Sequence, residues 1–173
     1  MDGVRELSPL SEIRLCEEPG WPLRAPEELV EAVRAAGVAK HVERGARLFS
    51  FGEEAEGIYL VVKGRARARL PGAAGRELMS RMAGEGAVLG LPAALCAKSY
   101  QFDVEALETV EARFLETAAV NEILRQRPEL CMRVMAMMCD ELSALRQTRD
   151  HMRSCKKEAC GLHEACAHSG TLG

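Results

Sequence analysis

The sequence predicts a mainly β domain, a sandwich or barrel carrying short helices, followed by one long helix suited to pairing with a copy of itself. Three observations lead there. Between Val38 and Glu116 turn glycines recur every few residues and separate short runs of β character. After Glu116 the apolar period changes from that of strands to that of a helix. From Pro128 onward the apolar positions follow a heptad.

Residues 1–25 read as an irregular lead-in, because Pro9, Pro19, Gly20 and Pro22 break any period. Pro26-Glu27-Glu28 opens a first helix, where acids suit the positive end of the helix dipole. Leu29, Val30 and Val33 form its apolar face, and Gly37 stops it. The expected strands are Leu48-Phe49, Ile58 to Val62, Arg65 to Leu70, Glu77 to Met82, Phe102 to Leu107 and Val110 to Leu115. Pro71-Gly72-Ala73-Ala74-Gly75 reads as a hairpin loop between two of them. Arg65-Ala66-Arg67-Ala68-Arg69-Leu70 alternates strictly, so the arginines share one face and Ala66, Ala68 and Leu70 the other. The arginine face is either a solvated exterior or a basic patch for an anionic partner.

Thr117 is placed to cap a helix whose buried face is Val120, Ile123 and Leu124. Pro128 then starts the long helix. Pro128, Met135, Leu142 and Arg149 occupy one seam position, and Cys131, Met138, Leu145 and Met152 the other. One small β domain cannot cover both faces of such a helix, so the simplest arrangement is a two-fold homodimer. The dimer residues are then Met135, Met138, Leu142, Leu145 and Met152, with Cys131 through Met138 also available to pack on the parent domain. The expected division is therefore 1–25 lead-in, 26–126 β domain with flanking helices, 127–154 dimerisation helix and 155–173 tail.

Composition narrows the function. At 173 residues the chain suits one domain with appendages. Aromatic residues make up only 4%, so the core must rest on aliphatic side chains. A net charge of −3 argues against a dedicated nucleic-acid domain, which carries a basic excess. No apolar run approaches the roughly 20 residues needed to cross a bilayer. Met1 to Glu6 lacks a basic start followed by an apolar stretch, so no signal peptide is read and a cytoplasmic, membrane-free location is expected. Seven cysteines is an odd number for a disulfide scaffold and suits thiols, metal ligands or redox switches. No nucleophile–base–orienter set, nucleophile elbow or phosphate-binding loop is present, so an enzyme is not expected.

Two stretches carry a resemblance. Gly45-Ala46-Arg47-Leu48-Phe49-Ser50-Phe51-Gly52-Glu53-Glu54 is followed by Gly57-Ile58-Tyr59-Leu60-Val61-Val62-Lys63-Gly64. A glycine, an apolar pair, a Gly-Glu turn and an aromatic-bearing strand ending in glycine resemble the sensor domains of the cyclic AMP receptor protein and fumarate–nitrate regulator superfamily. The resemblance spans about residues 26–153 and implies a double-stranded β-helix, or jelly roll, in which the glycines adopt positive φ at corners a Cβ would block.

The resemblance also implies where an effector would bind. Members that bind a cyclic nucleotide use a cassette opening with Gly-Glu and closing with Arg-Ser/Thr, the Glu accepting from the ribose and the Arg holding the phosphate. Here the segment is Gly90-Leu91-Pro92-Ala93-Ala94-Leu95-Cys96, ending near Ser99-Tyr100-Gln101-Phe102. Leu91 stands where the Glu belongs, and Tyr100 or Gln101 where the Arg belongs. Cyclic AMP in the usual mode is therefore not expected. The pocket candidates Gly90, Leu91, Pro92, Ala93, Tyr100 and Gln101 either line a site for an apolar or aromatic small effector or fill the space as core.

Relatives that bind DNA place a helix-turn-helix after the long helix. The nineteen residues from Cys155 to Gly173 are too few for one, so either the chain acts without its own DNA contact, through a downstream protein, or it is a piece of a longer one. Three Cys and two His between Cys155 and His168 have a metal-ligand composition, which makes Cys155, Cys160, Cys166 and His163 candidates for zinc, an iron–sulfur cluster or thiol redox chemistry. Their spacing lacks the C-x-x-C chelate that makes such a site specific. The sequence thus supports a ligand-sensing regulatory domain, with a redox or metal sensor as the alternative.

Overall fold

The computed structural model describes residues 25–71 and 77–143. Residues 1–24, 72–76 and 144–173, which include the tip of the expected hairpin loop, the distal part of the expected dimerisation helix and the Cys/His tail, lie outside the described residues.

Helix α1 covers Glu27–Ala36 and buries Leu29 and Val33, with Glu27 and Glu28 in its first turn. Pro26 lies one residue before it, its carbonyl accepting from the Leu29 and Val30 amides at 2.9 and 3.1 Å. Eight strands follow: β1 Val38–Val42, β2 Arg47–Phe49, β3 Gly57–Lys63, β4 Ala66–Pro71, β5 Glu77–Ala83, β6 Val88–Leu89, β7 Asp103–Ala106 and β8 Val110–Glu116. A short helix α2, Leu91–Leu95, interrupts them after β6. Helix α3, Thr117–Gln126, and helix α4, residues 128–143, complete the described chain. Every strand expected from the sequence is present. The two not expected are β1, an edge strand exposed over most of its length, and β6, two residues long.

The strands form two four-stranded sheets in the orders β1-β8-β3-β6 and β2-β7-β4-β5, with antiparallel pairing throughout. This is the jelly roll. β4 and β5 pair from Ala66↔Ala83 to Pro71↔Glu77, as a hairpin connection requires. In β3 the alternation serves two cores. Val61 points into the sandwich with Tyr59 packed against it, while Ile58 and Leu60 point to a layer of helices. That second layer buries Leu29 and Val33 of α1, Leu91 of α2, Val120 and Leu124 of α3, and Leu130 and Val134 of α4. A strand covered on both faces reads as a continuous apolar run, as Ile58 to Val62 does.

Two local expectations are corrected. Thr117 does not cap α3: the cap position is Glu116, without a side-chain bond, and the Thr117 hydroxyl donates to the Ala55 carbonyl at 3.0 Å. The competing acceptor comes from a segment 62 residues earlier in the chain, brought beside it only by the fold. Gly45, Gly52 and Gly64 do adopt positive φ, but Gly57 does not. It is small because a Cβ there would lie 2.3 Å from the Leu115 carbonyl oxygen across the β3–β8 pairing.

The alternating arginines of β4 face outward, with Ala66 and Ala68 buried inward. Arg65 pairs with Glu108 at 3.2 Å, and Arg67 and Arg69 both approach Glu105, at 3.8 and 3.2 Å. Glu105 of β7 and Glu108 after it thus share the arginine face, where Arg67 and Arg69 are half-buried against Glu105.

Candidate functional site

The chain turns sharply after β6. Gly90 sits at φ +84 as the residue before α2, and a Cβ there would meet Tyr100 Cε1 at 2.8 Å. Only glycine lets this turn close against the tyrosine ring. Pro92 follows in the first turn of α2, where its missing amide hydrogen costs nothing. Leu91, Ala93 and Ala94 are buried.

The Gly52-Glu53 turn holds the backbone on which Tyr100 sits. Glu53 folds back so that its carboxylate accepts from the Ser50 amide at 2.9 Å. The Gly52 amide donates to the Tyr100 carbonyl at 2.9 Å, and the Tyr100 amide to the Glu53 carbonyl at 2.8 Å. These bonds fix the backbone that carries Tyr100. Its ring stacks on Phe49 with centroids 3.9 Å apart, and its hydroxyl donates to the Gly57 carbonyl at 2.8 Å. Burial pushes the phenol up to about 12, and the Gly57 amide, which donates to the phenol oxygen at 3.4 Å, opposes the rise.

Between these parts lies a cavity of about 380 Å³. Ala68 and Leu70 of β4, Phe49 of β2 and Val104 of β7 form its sheet side. Gly90, Leu91, Pro92, Ala93, Tyr100 and Gln101, the residues singled out in the sequence, all line it. Met137 and Glu141, one turn apart on α4, form a further wall. The structure thus holds an open cavity beside side chains that are themselves partly core, since Leu91 and Tyr100 are buried. Gln101 is exposed, and its amide donates to the Ser99 carbonyl at 2.8 Å. Among the described residues no Lys, Arg or His lines the cavity.

Sequence reasoning missed Met137 and Glu141. The heptad seam drew attention to Met135, Met138 and Leu142, but α4 carries two apolar stripes. Leu130 and Val134 are buried against the domain, and Met137, next along that stripe, packs on the same core. Cys131 and Met138 flank this inner stripe, partly buried. Met135 and Leu142 lie outside it, 54% and 50% exposed, beside a still more exposed Met132 and an exposed Cys139. Leu145 and Met152 lie outside the described residues, as do Cys155, Cys160, Cys166 and His163. Among the described residues no three His, Cys, Asp or Glu side chains gather as a metal ion would need. No described helix is long and apolar enough to cross a membrane.

Comparison with known proteins places this geometry. No curated protein matches the chain by sequence. Among solved structures, the Thermus thermophilus catabolite activator protein aligns with a TM-score of 0.66 at 22% identity, over 75% of this chain and 60% of that one. The sensor domain of the transcriptional regulator DNR from Pseudomonas aeruginosa aligns at 0.59 and 16%, over 68% of this chain and 79% of that domain. The N-terminal domain of a transcriptional regulator from Streptomyces coelicolor A3(2) aligns at 0.57 and 21%, over 70% and 87%. The chain therefore spans about three fifths of the Thermus protein and nearly the whole of the Streptomyces domain. Residues 39–127, half of the chain, match the cyclic nucleotide-binding domain, and the chain belongs to that family.

Proposed function

We propose that the chain is a ligand-sensing regulatory domain whose cavity takes a small effector other than a cyclic nucleotide. The observation that carries this reading is the cavity's shared wall: the Gly90–Leu95 turn lines one side and Met137 and Glu141 of α4 another. An effector seated there touches both the cassette and the helix, and differential affinity for two helix positions shifts their populations. The sensor domain of a transcriptional regulator shares the fold, which fits a regulatory rather than a catalytic role.

Exclusion of cyclic nucleotides rests on the lining. A cyclic phosphate would meet Leu91, the Phe49-stacked Tyr100 and an exposed Gln101 already bonded to Ser99, with no cation among the described lining residues. Losing a charge-assisted partner costs about 1.5–3 kcal/mol, a tenfold or larger loss of affinity. Calorimetric titration with cAMP and cGMP is expected to show no saturation in the micromolar range. Saturation in the micromolar range would overturn the reading.

The output is a homodimer through the outer stripe of α4, read by a downstream protein. Exposed Met132, Met135 and Leu142 supply the apolar contact. A second reading, redox or metal sensing, is favoured by the clustering of Cys155, Cys160, Cys166 and His163 in the sequence. Elemental analysis of protein purified without oxygen separates the two. Stoichiometric zinc or iron would support the second, and a metal-free protein with slowly reacting thiols would remove it.

A further inference from the structure

We infer that the cavity selects an uncharged ligand: a compact, mainly apolar molecule carrying at most a hydroxyl or ester group. This deepens the proposed function and rests on its reading of the cavity as the ligand site.

Two charges of opposite sign flank the space. Glu141 lines it from α4, half-buried one turn beyond Met137. Arg81 of β5 stands directly across from Ala68 in the β4–β5 pairing. Residues paired in this way share a sheet face, so Arg81 is on the side of the sheet that lines the cavity. Each of the two already has an interaction within the chain. The walls between them are almost entirely apolar, which lets the fields of both carry. An ion of either sign therefore meets a like charge as well as an unlike one. It gives up its hydration for partners that are already engaged.

The uncharged polar side chains are engaged as well. The Tyr100 hydroxyl donates to the Gly57 carbonyl at 2.8 Å and accepts from the Gly57 amide at 3.4 Å. The Gln101 amide donates to the Ser99 carbonyl at 2.8 Å. Phe49 and Tyr100 stack with centroids 3.9 Å apart, so each covers a ring face that a cation would need, and Phe102 also has an interaction within the chain. What the lining holds in surplus is apolar surface, from Ala68, Leu70, Leu91, Val104 and Met137. Burying it against a ligand body supplies affinity without a charged head group. The contact to α4 is then made by Met137, whose flexible thioether side chain adapts to the shape of that body.

The test uses one naphthalene body with different head groups: naphthalenemethanol, methyl naphthoate, naphthylmethylamine, naphthoate and the zwitterion naphthylalanine. Each is followed by its own fluorescence on titration with the full chain near neutral pH. The alcohol and the ester are expected to bind within about threefold of each other, and the amine, the carboxylate and the zwitterion each at least about tenfold more weakly. Any charged form that binds as tightly as the alcohol would overturn the inference while leaving the cavity as a ligand site. An amine of that kind would assign Glu141 to ligand binding, a carboxylate Arg81, and the zwitterion both. Failure of every probe to bind would overturn the cavity reading as well.

Discussion

Tyr100 concentrates the residue-scale chemistry. It stands in the region where nucleotide-binding relatives are expected to carry a cation, yet its hydroxyl turns away from the cavity to the Gly57 carbonyl. Its ring packs instead on Phe49 and against the bare Cα of Gly90. Tyr100→Phe removes both buried hydrogen bonds between the hydroxyl and Gly57, the one donated to its carbonyl and the one accepted from its amide. The expected loss is about 1–2 kcal/mol of unfolding free energy, read by urea denaturation. A pH dependence follows from the same group. Its folded pKa is raised from 10.0 to about 12, so its contribution is complete below pH 10 and is lost as pH rises toward 12. The wild-type chain should lose stability over that window more steeply than Tyr100→Phe, and identical slopes would show that Tyr100 does not titrate as its burial implies. The departures at Leu91, Tyr100 and Gln101 were legible in the sequence because they are substitutions in a short motif. The direction of the tyrosine hydroxyl was not, because its partner lies 43 residues away.

At the scale of elements, legibility followed period and length. The strict alternation of Arg65 to Leu70 predicted β4, which face turns inward, and with it Ala68 and Leu70 as inward residues. β6 is too short to show a period, and β1, pairing only with β8, has no buried face to give it one. α4 was legible as a helix but ambiguous as a surface. A heptad on the sequence cannot say which of two adjoining stripes meets the parent domain. The packing assigns Leu130 and Val134 inward, with Met137 beside them, and leaves Met132, Met135 and Leu142 outward. The outer stripe is the proposed dimer contact, so Leu142→Lys, at a half-exposed position, is expected to yield a folded monomer. Analytical ultracentrifugation checks this, and an unchanged dimer would place the interface elsewhere. The Arg133–Glu28 ion pair, 2.6 Å long, ties α4 to α1 at the surface. Its exposure makes it a minor contributor to stability.

For the whole molecule, the layered arrangement brings the cavity and α4 together. The sandwich core holds Phe49, Tyr100 and the inward face of β4, whereas the helix core holds Leu91, Leu130 and Val134. The cavity lies where the two cores meet, lined by residues of both. The sequence showed the jelly roll through its corner glycines and its Gly-Glu turn. It could not show this junction, because α4 reaches the cassette only through tertiary packing across some forty residues of chain. Backbone hydrogen exchange with and without a neutral aromatic probe, naphthalenemethanol, tests the central claim most directly. The account predicts added protection in α2, β4 and the Met137–Glu141 turn of α4 together, with cAMP at the same concentration changing none of them. Protection by cAMP, or protection of α2 and β4 while α4 stays unchanged, would contradict it.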